Sequence, residues 1–128
     1  MEKFLKQCAN PLPREVSLSI FYQMLLSVEA VHSKNLMHRD IKPSNFLIDY
    51  KTGTVVLADF GCCRKQLINE KDERPCTLEV GSKWYKAIEI LFGSQNYDAS
   101  VDIWSLGAIF AELLDAGNPL FPGQNDID

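Results

Sequence analysis

The spacing of apolar residues predicts an amphipathic helix in the first third of the chain. Between residues 16 and 33, apolar side chains recur at steps of three and four, which places them on one face of an α-helix. A shorter helix is predicted over residues 2–9, and the two prolines within residues 10–13 end it. The apolar face of the longer helix consists of Phe21, Met24, Leu25, Val28 and Val31.

A further predicted helix covers residues 100–114 and is apolar on nearly all sides. A helix without a polar face is typical of the centre of a domain. Gly107 lies inside this helix, where glycine costs about 1 kcal/mol relative to alanine, and this cost indicates close packing at that position. Asp102 places a charge near the helix start, where acidic residues are favoured in any case.

Between these helices the pattern changes to short β-rich runs. Residues 46–48 and 54–58 form two such runs, joined by a polar link that ends in Gly53, and this arrangement predicts a β-hairpin. Residues 62–83 are polar and irregular, and they are predicted to form a long loop of the kind that is usually functional. The predicted fold class is therefore mainly α, of the α+β type, with a small β-hairpin.

The composition is that of one globular domain. With 128 residues, 46% of them apolar and 23% charged, the chain has no room for two independent cores and lies far from the composition of disordered proteins. Thirteen basic against 17 acidic residues give a net charge of -4, which argues against nucleic acid or an anionic membrane as a partner.

Neither a membrane span nor a signal peptide is evident in the sequence. No apolar run reaches the roughly 18 residues that a span needs, and the first residues lack the apolar stretch of a signal peptide. We therefore expect an intracellular protein of the cytoplasm, the nucleus or both. The four cysteines include the adjacent pair Cys62 and Cys63, which lacks the C-x-x-C spacing of a zinc site, so we expect reduced thiols.

The strongest chemical signal is H-R-D-I-K-P-S-N at residues 38–45, followed by D-F-G at residues 59–61. Either motif alone is weak, but both in this order, with a predicted hairpin between them, leave little room for coincidence. They resemble the catalytic loop H-R-D-x-x-x-x-N and the metal-binding D-F-G of eukaryotic protein kinases. The resemblance implies a protein-kinase-like fold whose small hairpin joins the catalytic and metal loops.

By this resemblance, the loop residues have distinct roles in phosphoryl transfer from ATP. Asp40 accepts or orients the proton of the attacking hydroxyl group, and Lys42 holds the transferring phosphate. Asn45 and Asp59 supply oxygen ligands to Mg²⁺, a hard cation that prefers oxygen. ATP and Mg²⁺ are the implied cofactors, and Lys42, Asn45 and Asp59 are their implied binding residues.

Further motifs extend the resemblance over essentially the whole chain. W-Y-K-A-I-E at residues 84–89 is similar to the end of a kinase activation segment, and V-D-I-W-S-L-G at residues 101–107 is similar to the central buried helix. L-F-P-G at residues 120–123 is similar to a stretch of the cyclin-dependent group, within which the chain most resembles the cell-cycle-related kinases.

The same resemblance implies three residues of structural support. Asp102 would brace the backbone of the catalytic loop, which explains a charge at the head of an apolar helix. Glu89 would pair with an arginine that kinases of this family carry in a later helix. Ser82 would take the place of a hydroxyl residue that hydrogen-bonds near the catalytic aspartate.

The resemblance also implies a phosphorylation switch. Thr77 lies at the position of the activation threonine, and an ordinary exposed threonine is the alternative at this position. Arg39 and Arg64 would form part of the anion pocket for phosphorylated Thr77, because guanidinium groups fork onto phosphate oxygens and so order a loop.

Several positions depart from the family pattern. Ile88 replaces the proline of A-P-E, and Lys86 replaces the arginine of W-Y-R, which keeps the charge but loses the planar fork. A preference for proline after the target residue therefore stays open. Cys62 and Cys63 replace the usual Leu-Ala after D-F-G; packing is the main interpretation, and oxidation of two adjacent thiols is the alternative.

Two kinase motifs are not found in the 128 residues: the glycines form no G-x-G-x-x-G, and there is no V-A-I-K strand. The resemblance thus predicts a partial kinase domain over residues 1–128, part of the C-terminal lobe without the N-lobe and the last helices. We expect such a piece to be inactive and marginally stable alone.

Three functional hypotheses remain open at this point. The chain is a piece of a serine/threonine kinase that acts when whole, a catalytically inactive module that competes for the partners of the full kinase, or a piece completed in trans by a separate N-lobe. The expected partners are a protein substrate and a cyclin-like or other regulatory protein.

Overall fold

The chain folds into helices with two small antiparallel sheets, one of which is the predicted hairpin. The computed structural model describes residues 1–7, 10–66, 80–94 and 96–123. Its helices are α1 (Glu2–Gln7), α2 (Arg14–His32), α3 (Ile88–Leu91) and α4 (Ser100–Leu114). Its strands are β1 (Leu36–Met37), β2 (Phe46–Ile48), β3 (Val55–Leu57) and β4 (Arg64–Lys65). Short 3₁₀ helices lie at Pro43–Asn45 and Val80–Tyr85.

Helix α2 confirms the predicted amphipathic helix, but its buried face is rotated. The helix begins directly after Pro13, two residues before the predicted start. Leu25 is 38% exposed, so its predicted place in the core is wrong, while Phe21 is partly buried and stacks on Phe110 of α4 at 4.2 Å between ring centroids. The buried positions are Ser17, Ile20, Met24, Val28 and Val31.

Helix α4 has the predicted bounds but not the predicted burial on all sides. Ile103 and Trp104 are 52% and 42% exposed, although Phe121 stacks on Trp104 with 6.0 Å between the ring centroids. Close packing at Gly107 is also wrong, since a Cβ added there meets no atom within 4 Å. The buried face combines Val101, Asp102, Ser105, Leu106, Ala108, Ile109, Glu112 and Leu113.

The predicted hairpin is present and rests on α2. Strands β2 and β3 pair antiparallel with Phe46 opposite Leu57, and Gly53 in the connection takes a left-handed φ of 71° that suits glycine. The side-chain amide of Gln23 in α2 docks on the hairpin edge. Its Nε2 donates to the Gly53 carbonyl at 3.0 Å, and its Oε1 accepts from the Val55 amide at 2.9 Å.

The predicted loop over residues 62–83 is wrong at both ends. Strand β4 pairs antiparallel with β1, with Met37 opposite Arg64, and residues 80–85 form a 3₁₀ helix. Two-residue strands are too short to show the alternation that reveals a strand in a sequence. Residues 67–79 lie outside the described part of the chain.

The core lies between α2, α4 and the inner face of the hairpin. Phe46, Met24, Ile109 and Leu113 are completely buried in it. Large apolar side chains are also exposed, most of all Phe92 at 84%. Within the described ranges, no helix combines the length and the hydropathy that crossing a membrane requires.

Two glycines should respond in opposite ways to alanine. Gly107→Ala should raise the free energy of unfolding by about 0.5–1 kcal/mol, because the helix gains propensity and the site has room. Gly117→Ala should lower it by more than about 1 kcal/mol, because Gly117 has a φ of 81° and its Cβ would lie 2.5 Å from the Leu5 carbonyl oxygen. Urea unfolding measures both changes in the free energy of unfolding. A destabilised Gly107→Ala variant would contradict the finding that Gly107 has room for a methyl group.

Candidate active site

A buried carboxylate holds the H-R-D segment in place. Asp102, in the first turn of α4, is 1% exposed. Its Oδ2 accepts from the His38 amide and its Oδ1 from the Arg39 amide, both at 2.8 Å. The Nε2 atom of His32, in the last turn of α2, lies 2.8 Å from the same Oδ2. Asp102 therefore ties two helices and the loop together.

These bonds coincide with an unusual backbone conformation. Arg39 has a φ of 68°, in the left-handed region that costs an ordinary residue roughly 1–2 kcal/mol. Its amide reaches Asp102 in this conformation, so the hydrogen bond to a buried carboxylate offsets the cost. His32 was not among the residues singled out from the sequence, since nothing local links it to Asp102, 70 positions away.

The buried His38 side chain links the loop to the strand that leads into D-F-G. Its Nδ1 accepts from the Asp40 amide at 3.3 Å, and its Nε2 lies 3.2 Å from the Ala58 carbonyl oxygen. Both hydrogen bonds form when the ring proton is on Nε2. This atom then donates to the Ala58 carbonyl oxygen, which can only accept, and the bare Nδ1 accepts from the Asp40 amide. The ring also meets the edge of Phe60, with centroids 5.3 Å apart. The two motifs are therefore in direct contact.

Two of the predicted catalytic-loop residues, Lys42 and Asn45, converge on the carboxylate of Asp40. The Lys42 ammonium group lies 2.9 Å from Asp40 Oδ2, and the Asn45 amide donates to the same oxygen at 3.0 Å and to the Asp40 carbonyl at 2.7 Å. Among the described residues, no hydrogen bond engages Asp40 Oδ1. Within that part of the chain, this oxygen is therefore available to a further hydrogen-bond donor.

The hairpin brings Asn45 and Asp59 to its same end. The Ala58 amide donates to the Asn45 carbonyl at 2.8 Å, which extends the β2–β3 pairing by one step up to Asp59. Asp59 has a φ of 61° and an exposed carboxylate, whose Oδ1 accepts from the Gly61 amide at 3.3 Å. A Cβ at Gly61 would lie 3.2 Å from that oxygen, so glycine leaves the carboxylate room.

The donor set at this end of the hairpin suits a magnesium ion bound together with phosphates. In the described part of the chain, no three His, Cys, Asp or Glu side chains form a cluster that could hold a metal alone. Mg²⁺ usually takes one or two carboxylates and fills its other positions with water and phosphate oxygens. The Asp59 carboxylate and the Asn45 amide oxygen fit this pattern.

Comparison with known proteins agrees with this geometry. The sequence matches the family of the protein kinase domain over residues 1–128. The chain belongs to this family. It is 39% identical over 128 residues to cyclin-dependent kinase 20 of Danio rerio and to that of Homo sapiens, which covers 100% of this chain and 36% of each relative. The kinase chain thus spans about a third of the length of the curated relatives it matches.

These matches confirm the predicted family. The resemblance to the cyclin-dependent group and to the cell-cycle-related kinases is confirmed, since cyclin-dependent kinase 20 also bears the latter name. The enzyme class of the family, a kinase and hence a transferase, is the predicted one.

The predicted anion pocket of this kinase domain is described in part. The Arg39 guanidinium lies over the ring of Tyr97, 5.5 Å from the ring centroid, and Arg64 lies in β4. The Cys63 thiol is within electrostatic range of both arginines and of Asp102. Thr77, the predicted phosphorylation site, lies outside the described residues.

The described contacts do not test the roles of the two remaining support residues, Glu89 and Ser82. Glu89 is half-buried in α3, and within the described ranges its carboxylate makes no hydrogen bond or ion pair. Ser82 lies in the 3₁₀ helix Val80–Tyr85, and its side chain is outside what the structure describes. Both roles stay predictions.

Two cysteines follow D-F-G. Within the described residues, neither Cys62 nor Cys63 forms a disulfide bond, and both are half-buried. Burial raises the pKa of the Cys63 thiol, and the nearby Asp102 carboxylate acts in the same direction. Because the thiolate is the reactive form, this environment favours packing over oxidation for Cys63. Cys8 and Cys76 lie outside the described residues.

Sequence reasoning missed a cavity of about 520 Å³ whose walls include Lys42 and Ser44 of the catalytic loop. Glu112 of α4 lines this cavity, is 5% exposed and accepts a hydrogen bond from the Tyr85 hydroxyl at 2.7 Å. Ser105 donates to the Tyr85 carbonyl at 2.6 Å and fixes that residue on α4. Burial raises the pKa of both the Glu112 carboxyl and the Tyr85 hydroxyl.

The raised pKa of Glu112 predicts a pH dependence of stability. A carboxyl with a raised folded-state pKa adds stability below its unfolded value, and that stability is lost as pH rises through the folded value. Between pH 4 and pH 7 the unaltered chain should therefore lose stability relative to Glu112→Gln, which keeps an acceptor for Tyr85. Urea unfolding at both pH values measures the difference. Glu29→Gln, which removes an exposed carboxyl, controls for net charge, and an identical pH response in all three proteins would contradict the prediction.

Proposed function

We propose that this chain carries the catalytic and metal-binding loops of a serine/threonine protein kinase. The observation that supports it most is the convergence of Lys42 and Asn45 on one oxygen of Asp40, while the other oxygen accepts no hydrogen bond from the described residues. A carboxylate held in this way accepts a hydrogen bond from a serine or threonine hydroxyl and orients it for attack. Positioning of this kind accounts for much of the catalysis of phosphoryl transfer.

The remaining residues have roles that follow from their charge and place. Lys42, 2.9 Å from Asp40, presents a positive charge where negative charge develops on the transferring group. Asn45 and Asp59 would hold Mg²⁺ at the end of the hairpin, with oxygen ligands that suit this ion. When bound, ATP with Mg²⁺ supplies the phosphoryl group and neutralises its charge.

The hairpin also offers a surface for the base of the nucleotide. Leu47 and Val56 are direct cross-strand partners, 56% and 47% exposed, on the face turned away from the core. Burial of exposed apolar area is favourable, and a flat aromatic base covers such a pair well. Their place next to Asn45 supports ATP as the nucleotide donor. The sequence reasoning had not singled out this pair, because both side chains look like ordinary strand residues.

The isolated chain should lack this activity. The 128 residues contain neither the glycine-rich loop nor the lysine strand that position the phosphates of ATP in kinases. We therefore propose that the loops act in the context of a whole kinase with a protein substrate and a cyclin-like or other regulator. The alternative is an inactive module that competes for these partners; the missing phosphate-binding motifs are the observation in its favour.

A chimera tests whether the loops are catalytically competent. Residues 1–128 would replace the matching segment of human cyclin-dependent kinase 20, to which they are 39% identical. The chimera should phosphorylate protein on serine or threonine, and Asp40→Asn should reduce the rate at least about 100-fold, in line with the loss of a general base.

The control is Asp49→Asn, which alters an exposed aspartate of the hairpin connection and should leave the rate unchanged. The isolated chain, assayed in parallel with ATP and Mg²⁺, should transfer no phosphate. A folded but inactive chimera would contradict the proposal and favour the competing module. Transfer by the isolated chain would contradict its proposed inactivity.

A further inference from the structure

The contact between Arg39 and Tyr97 is not explained by the fold or by the catalytic loop. The guanidinium carbon lies 5.5 Å from the Tyr97 ring centroid, within the range of a cation–π interaction. Arg39 is half-buried, and among the described residues none accepts a hydrogen bond from its guanidinium or pairs with its charge. A half-buried cation whose donors are unused is suited to an anion.

Tyr97 lies in the stretch of chain that leads into α4 and so precedes the residue that holds the Arg39 backbone. Asp98, the next residue, accepts from the Ser100 amide at 2.8 Å, which fixes the turn that leads into α4. Asp102 follows within the first turn of α4 and accepts from the Arg39 amide at 2.8 Å. One short stretch of chain therefore holds Arg39 at two points, its backbone by a carboxylate and its guanidinium by an aromatic ring.

The cation–π contact between Arg39 and Tyr97 affects anion binding differently from an ion pair. A carboxylate partner would neutralise Arg39 and occupy its N–H donors. An aromatic ring attracts the cation through its π face and accepts none of the in-plane N–H bonds. The charge and the donors of Arg39 thus stay available, while the freedom of the side chain is reduced.

A second cation lies nearby. Arg64 follows Cys63 in the chain and lies opposite Met37 of β1, two residues before Arg39, and both arginines act electrostatically on the Cys63 thiol. A guanidinium whose rotation is restricted binds phosphate oxygens more tightly than a mobile one, because less side-chain entropy is lost on binding.

We propose that Tyr97 is a positioning residue: its ring holds the Arg39 guanidinium so that the N–H donors face a phosphate monoester. This inference rests on the proposed function, in which Arg39 and Arg64 form the anion pocket of a phosphorylation-controlled kinase. It adds a residue outside the loop motifs whose side chain acts only through Arg39.

Phosphate titration of the 128-residue chain tests the assignment, with the Nε–Hε signal of Arg39 followed by NMR. In the unaltered chain and in Tyr97→Phe, this signal should show an upfield ring-current shift and respond to inorganic phosphate. Tyr97→Leu should lose the ring-current shift and bind phosphate about three- to fivefold more weakly, the factor that corresponds to a cation–π contact at a partly exposed site.

The matched control is Tyr22→Leu, which removes a tyrosine that is 63% exposed on α2 and should leave phosphate binding unchanged. Equal phosphate affinity of Tyr97→Leu and the unaltered chain would overturn the assignment, as would a Tyr97→Phe variant as weak as Tyr97→Leu. If Tyr97→Leu does not fold, replacement of Tyr97 by a trifluorinated phenylalanine weakens the π face at nearly constant shape and should weaken phosphate binding in the same direction.

Failure of the pocket and failure of the Tyr97 assignment give different results. In one outcome, the Arg39 signal of the unaltered chain shows the ring-current shift but does not change when phosphate is added. The chain then has no anion pocket, and the positioning role of Tyr97 is contradicted as well. An unaltered chain that binds phosphate through Arg39 without dependence on the Tyr97 ring retains the pocket and loses only the positioning role.

Discussion

The buried carboxylate of Asp102 is the interaction on which the candidate site depends. An ionised carboxylate taken out of water is costly unless donors replace its hydration. Here the donors are the His38 and Arg39 amides and the His32 ring. Moving the loop away would leave the charge unsatisfied, so the desolvation that makes Asp102 costly also fixes the loop backbone.

The positions of the predicted catalytic side chains follow from this constraint. With His38 and Arg39 held on α4, the chain passes directly to Asp40, whose carboxylate collects Lys42 and Asn45. The hydrogen bond from the Ala58 amide to the Asn45 carbonyl then places the next residue, Asp59, at the same end of the hairpin as Asn45. The site is thus a chain of short contacts that starts at one helix, and each contact positions the next.

Residue spacing along the chain predicted those helices and strands whose formation depends on neighbouring residues. The hairpin and the bounds of α4 followed from residue spacing, and the order of the two motifs indicated which side chains would share a site. The sequence could not reveal His32, Tyr97, Gln23 or Glu112, because their partners lie between 27 and 70 positions away. Periodicity also does not specify which side of a helix another element covers, and for that reason Leu25 and Gly107 were wrongly placed in packed surroundings.

Amide hydrogen exchange in the unaltered chain and in Asp102→Asn tests the central role of Asp102 most directly. In this variant the side-chain NH₂ group, which only donates hydrogen bonds, replaces one of the two carboxylate oxygens that accept from the backbone. Protection of the His38 and Arg39 amides from exchange should therefore fall far more than protection of the amides inside α4. The free energy of unfolding should fall by about 1–3 kcal/mol, and Asp115→Asn, at an exposed position just after α4, should change neither quantity. Equal protection of His38 and Arg39 in both proteins would contradict the account.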